Sequence, residues 1–219
     1  MAETDTAPGA PPGRRAAQKA ETRARILQCA LDAFAARGFD GAGIRDIAAA
    51  AGVQHGLIRH HFGDKDGLWR AAVDFLFERL ARETGNTPDE MDLTPVEQAK
   101  ARIRRYVRYC ARHPEHARIM MQESVSPSPR LDWAVDEHIR PDHEARWAHL
   151  KGFIEAGVYP DVPLASLTYM LVAMAQMPFV LAPEVTQIYG SDPTSEAFVE
   201  AHAEAVVRLI FDHPARGGA

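Results

Sequence analysis

Apolar side chains recur three and four positions apart at Ile26, Leu27, Ala30, Leu31 and Phe34, the period of a helix over about 17–36 with one buried face. The period stops at Gly38, a residue suited to a left-handed helix cap. A short helix follows over about 44–50, with Ile44, Ile47 and Ala48 on one side, and Gly52 breaks it. A third runs from about Gln54 to Phe62 or Gly63. A fourth begins at Asp64, whose carboxylate can cap the next turn, and carries a continuous stripe of Leu68, Trp69, Ala72, Val73, Leu76, Phe77 and Leu80. It reads as a strut between a front domain and a body.

Residues 85–94 form a loop, after which Thr94, Pro95 and Glu97 supply a capping box and a proline for a helix to about Arg112. Pro114 opens another to about Ser124, and Ser126–Pro129 is a second loop. The stretch from Arg130 to Ala156 is helical in pattern, with Pro141 kinking or splitting it. Asp161 before Pro163 starts a helix that ends near Ala182, and Asp192 before Pro193 starts the last, which ends near Phe211. No strand pattern survives, so the chain is expected to be all-α: a three-helix front domain followed by a helical body. Residues 1–13 are rich in Pro, Gly, Ala and Thr and cannot bury enough surface to offset ordering. The expected organisation is a disordered arm over 1–16, the front domain over 17–66, the body over 67–213 and a disordered tail over 214–219.

Composition adds a cell compartment and a polarity. With 219 residues, 46% apolar and 25% charged, the chain is that of an ordinary globular protein. No apolar run approaches the roughly 20 residues that cross a bilayer, since Ser166, Thr168, Gln176 and Pro178 interrupt the best stretch. Arg14 and Arg15 have no apolar segment before them, which argues against a signal peptide. The cytoplasm is the expected location, with no membrane partner. The net charge of -5 hides an asymmetry: from Arg14 to Lys65 nine basic residues face five acidic ones, leaving sixteen against twenty-five elsewhere. A basic front can meet a polyanion while an acidic body stays away from it.

The stretch GIRDIAAAAGVQHGLIRHHFGDK, residues 43–65, carries the chemistry. Two short helices meet at Ala51-Gly52-Val53, with Ala48 small enough for close contact and Gly52 free to take a left-handed turn. This is a helix-turn-helix, whose second helix enters a DNA major groove. Its residues resemble the TetR family of regulators at Phe34, Gly38-Phe39, Ile47-Ala48, Ala51-Gly52-Val53, Gly56, His61-Phe62, Lys65 and Leu68. The resemblance implies groove-facing Gln54, His55, Leu57, Arg59 and His60, with Arg45 also on the DNA and Lys65 reaching a phosphate or capping the recognition helix. Three positions depart from the family pattern: Gly43 and Leu57 replace hydroxyl residues and Arg59 replaces a tyrosine. Lost hydroxyls remove backbone donors, whereas Arg59 adds a fork that pairs with guanine or phosphate. Arg14, Arg15 and Lys19 suit a basic arm along the duplex or a solubilising tail.

For the body, the resemblance implies a homodimeric repressor released from a double-stranded DNA operator by a small apolar or amphipathic effector. Leu167, Leu171, Phe198, His202, Val206 and Leu209 on the last two long helices are the expected pairing surface, and burial within one subunit is the alternative. Met120, Trp133, Trp147, Tyr169, Met170, Met174, Gln176 and Met177 are the expected pocket, although the same side chains suit an ordinary core. Pro141 and Pro178 are expected to leave carbonyls facing that cavity. Cys29 and Cys110 read as small core residues, with a redox-sensing thiol as the alternative the family allows. His138 and Asp142 lie one turn apart, but the neighbouring His143, Glu144 and His149 do not share their face, so no metal site is expected. No cofactor is implied, and no phosphate loop, nucleophile elbow or metalloprotease helix points to an enzyme. Two rival readings remain: a helical binding protein whose front domain has lost DNA reading, and a ligand-dependent activator.

Overall fold

The computed structural model describes residues 13–212, apart from the side chains of Arg14, Ala145, Arg146, Ala148 and His149. Eleven α-helices are labelled in chain order: α1 Arg14–Gly41, α2 Ile44–Ala50, α3 His55–Phe62, α4 Lys65–Thr84, α5 Pro95–Arg112, α6 Pro114–Val125, α7 Pro129–Ala134, α8 Arg140–Glu155, α9 Leu164–Val180, α10 Ala182–Tyr189 and α11 Glu196–Phe211. A 3-10 turn, Pro88–Glu90, lies in the loop after α4, and a π-helical turn, Val135–Ile139, joins α7 to α8. No strand occurs among the described residues.

Arg14 to Ala16, expected in the arm, are instead the first turn of α1, so Arg14, Arg15 and Lys19 ride on a helix. Residues 1–12 of that arm and the tail over 214–219 lie outside the described residues. Gly38 takes φ 68 and ψ 177, and α1 kinks there rather than stopping, running on to Gly41. Asp64 caps α4 as expected, its Oδ1 accepting from the Gly67 amide at 2.8 Å. Thr94 likewise accepts from Glu97 N at 3.3 Å at the start of α5.

Two hydrophobic cores form. The first unites the α1 stripe with Ile47, Ala48 and Ile58 of the helix-turn-helix and Leu68, Trp69, Ala72, Val73 and Leu76 of α4, and it continues into Ile119 of α6 and Ala134 of α7. The second joins Ile103, Val107 and Cys110 of α5 to Leu167 and Phe179 of α9 and Val199, Ala203, Val206 and Ile210 of α11. Each fully buried large side chain contributes about 1.5–3 kcal/mol, so Ile119 fastens α6 to the front domain. The strut α4 is therefore shared, and no hydrophobic gap follows residue 66.

Three elements differ from the sequence expectation. Pro141 stands in the first turn of α8, and the irregular backbone ahead of it is the π-helical turn. After Val180 the chain bends by 71° into α10, which the sequence pattern did not predict. Pro183 is the reason: it ends one helix as readily as it opens the next, where its missing N–H costs nothing. The last helix is capped by Ser195, whose Oγ accepts from Phe198 N at 3.4 Å, while Asp192 folds a turn ahead of it by accepting from Thr194.

Candidate nucleic-acid interface

The turn between α2 and α3 is built as its residues require. Gly52 sits at φ 64, Val53 N donates back to Ala48 O at 3.0 Å, and Ala51 N donates to Ile47 O at 2.9 Å. From α1, Arg25 Nε donates to Ala51 O at 2.9 Å and ties the turn to the long helix. Ile58 is buried beneath α3, so the opposite face points outward: Gln54, His55, Gly56, Arg59 and His60 are all exposed. Nothing lies within 4 Å of a Cβ built on Gly56. The fold does not need glycine there, and a bare backbone permits close approach of a partner.

The exposed face is cationic beyond α3. His61 is half-buried, and its pKa is lowered by that burial first and then by His60, Lys19 and Arg23. The Arg23 guanidinium lies 5.6 Å from the Phe62 ring centroid. The first turns of α1 thus bring Lys19 and Arg23 alongside the end of α3. Arg23 is a functional candidate that sequence reasoning missed; its i,i+4 spacing from Lys19 on an exposed helix face was the available signal. Arg45 is exposed on α2, where its neighbour Asp46 approaches Arg37 at 3.8 Å.

A rigid helix pair with one anchored and one exposed, polar and cationic face is the geometry that enters a major groove. The sequence profile of bacterial regulatory proteins of the tetR family matches residues 26–72, and that of the YcdC-like protein C-terminal region matches residues 80–215. The chain belongs to the TetR family. It is a helix-turn-helix, DNA-binding transcription regulator. This TetR-family chain is 30% identical over 193 residues to the HTH-type transcriptional repressor SCO4008 of Streptomyces coelicolor, covering 86% of this chain and 95% of that one. It is 24% identical over 206 residues to the HTH-type transcriptional regulator RutR of Escherichia coli K12, covering 91% and 93%. Its fold is also that of AibR, solved in complex with isovaleryl coenzyme A and operator DNA, with a TM-score of 0.67 at 17% identity over 87% of this chain and 98% of that one.

Two residues that the TetR resemblance assigned to DNA also make contacts within the fold. Leu57 is half-buried and packs against the first core, where an apolar side chain gains more than it would beside water or phosphate. Lys65 Nζ donates to Asp40 O at 3.1 Å and lies 4.7 Å from the Phe39 ring centroid, so it holds the end of α1 rather than capping α3.

The expected pocket residues of this TetR-family body do not converge. Met120 and Trp133 pack against the first core, with Trp133 edge-on to Trp69 at 5.9 Å. Trp147, Tyr169 and Met170 are at least half exposed, while Gln176 and Met177 are half-buried. Met170 and Met174 line an open groove of about 430 Å³ with Leu167 of α9 and with Leu209 and Ile210 of α11. Of the expected pairing surface, Leu167 and Val206 lie within the chain's own second core, and Leu171 and Phe198 pack against it. Leu209 is 68% exposed. The Met174 carbonyl freed by Pro178 is not left unpaired, because His202 Nε2 donates to it at 2.8 Å.

Neither cysteine has the surroundings of an activated thiol. Burial pushes Cys110 up to about 12, and Cys29 is also raised, by burial and then by Asp32. His138 pairs with Asp74 at 2.9 Å, and its ring stacks on Phe77 with centroids 4.6 Å apart. Among the described residues no group of histidines, cysteines and carboxylates is arranged to hold a metal ion, and no single helix is long and apolar enough to cross a membrane.

Proposed function

We propose that this regulator is a homodimeric repressor that leaves its operator when a small apolar or amphipathic molecule binds the body. The observation that carries the dimer is the α9–α11 face: Met170 and Leu209, 53% and 68% exposed, line an apolar groove, and Tyr169 on α9 is 65% exposed. Large apolar side chains grouped in this way mark a surface that another surface covers. One helix-turn-helix reads too few bases for useful specificity, and a two-fold pair spans half-sites about 34 Å apart. The repressor name of SCO4008 and the isovaleryl coenzyme A in AibR support repression and an acyl-type effector.

Release follows if the effector favours a dimer whose α3 helices no longer match that spacing. Near-complete switching needs a preference of roughly 10⁴-fold for the released form. The test selects bound fragments from a random DNA pool, weighs the protein by light scattering with and without Leu209→Arg, and titrates isovaleryl coenzyme A into the complex. A palindromic site, a dimer that Leu209→Arg splits and loss of the complex on titration are expected. A monomeric wild type, or selected DNA without two-fold symmetry, overturns the dimer, and no response to acyl thioesters overturns that effector class.

A further inference from the structure

Phe39, just past the Gly38 kink, is met by a cation from each part of the molecule. The Arg130 guanidinium of α7 lies 3.7 Å from its ring centroid, and Lys65 Nζ, on the first residue of α4, lies 4.7 Å from it. Each cation is fixed a second time. Arg130 Nε donates to Glu123 Oε1 at 3.2 Å, and the buried Glu123 also accepts from Ser128 Oγ at 2.6 Å. Lys65 donates to Asp40 O at 3.1 Å. One turn before the kink, Gln122 Nε2 donates to Ala35 O at 2.9 Å, so the end of α6 is bound to the same stretch of α1.

We propose that Phe39 is the joint through which the body sets the posture of the recognition helix, with Arg130 and Lys65 as positioning residues for DNA binding. Lys65 begins α4 only three residues after α3 ends at Phe62, so a shift of Phe39 moves the end of α3 with it. Arg130 belongs to the body, and its contact with an aromatic face is strong where water is displaced. Displacement of the loop between α6 and α7 therefore reaches the start of α4, next to α3, through the Phe39 ring. Lys65 acts on operator affinity through this ring and not as a phosphate ligand. This rests on DNA binding alone and on neither the dimer nor the effector.

Salt dependence separates positioning from phosphate contact. Each phosphate contact removed lowers the slope of log affinity against log salt by about one, whereas a positioning residue changes affinity and leaves the slope alone. Using DNA selected by the wild-type protein, affinity is measured from low to high KCl for Arg130→Gln, Phe39→Leu, Lys65→Met and the Arg130→Gln/Lys65→Met pair. Each single change is expected to weaken binding by about tenfold with the wild-type slope, and the pair no more than the weaker single variant. Lys65→Arg, which keeps a cation on the ring, is expected to restore binding and serves if Lys65→Met does not fold. A slope reduced by about one in Lys65→Met, additive losses in the pair, or unchanged affinity in Arg130→Gln overturns the proposal. Failure of the wild type to select any DNA would instead remove the DNA reading on which it rests, and the proposal with it.

Discussion

His202 Nε2 donates to the backbone carbonyl of Met174 at 2.8 Å, and Met174 is four residues before Pro178. In an unbroken helix that carbonyl would accept from the amide of residue 178, which proline lacks. The imidazole of α11 replaces the missing donor, lets α9 continue through its proline and joins the two helices of the second core.

His202→Phe keeps the ring but removes the donor, leaving the Met174 carbonyl unsatisfied. A loss of about 1–3 kcal/mol in unfolding free energy is expected, with His202→Gln losing less because its amide reaches as a donor. Urea unfolding followed by circular dichroism measures both; equal losses would show that packing of the ring, not the hydrogen bond, is what matters.

Acid is expected to weaken the junction of α1, α4, α5 and α6. There the buried Arg79 donates to Glu115 at 2.6 Å and to Gln28 at 2.7 Å, and the half-buried His116 hydrogen-bonds Tyr109 at 2.9 Å beside Phe77. Burial first, and then the Arg79 charge, push His116 down to about 3 from an ordinary 6.5. Burial opposes the Glu115 charge, but hydrogen bonds from His113 and the backbone and the nearby Arg79 outweigh it and hold the carboxyl at about 2, below an ordinary 4.5. Both folded values lie below the unfolded ones, so the unfolded chain takes up protons first. The His116 contribution is complete above pH 6.5 and is lost as pH falls toward 3, and that of Glu115 is complete above pH 4.5 and is lost toward 2. Because His116 keeps some exposure, its slope should be less than the roughly 1.4 kcal/mol per pH unit of one full proton. His116→Gln should flatten the curve between pH 6.5 and 4.5 and leave the decline below it; an unchanged curve would mean the ring titrates normally in the folded protein.

Gly56→Ala separates folding from DNA reading at one atom. The added methyl meets nothing within 4 Å in the folded chain, and alanine in a helix is favoured over glycine by up to about 1 kcal/mol. Thermal unfolding should therefore rise by a few degrees for a gain of that size, while affinity for selected DNA falls because the methyl occupies the face presented to the groove. Unchanged affinity would place Gly56 off the DNA.

The helix-turn-helix was legible because its signals are local. Ala48, Gly52 and Val53 act within six residues, and Ile47 follows the helical period, so α2 and α3 occupy the stretches their spacing predicted. The row of Gln54, His55, Arg59 and His60 came from the TetR resemblance, and in the structure all four are exposed on the face of α3 opposite the buried Ile58. Arg23 was not legible, because its place beside Phe62 depends on how α1 crosses α3.

Periodicity along the chain was enough to define an all-α protein with a groove-entering front domain, since backbone hydrogen bonding and a buried stripe span only a few residues. It could not say which way the bifunctional side chains turn. Leu57 and Lys65 suit DNA or the fold equally by type, and the crossing of α1 with α3 and α4 gives each a contact within the fold, Leu57 against the first core and Lys65 against Phe39. His202 suits a partner surface or a core equally, and the break at Pro178 facing it on α9 commits it to Met174. Met120, Trp133 and Met170 look alike as apolar side chains, yet the first two pack against the first core and the third lines an open groove. Each of these outcomes depends on which distant residue supplies the missing hydrogen bond, charge or apolar contact, and that is set by helix packing across 25 to nearly 90 residues of chain.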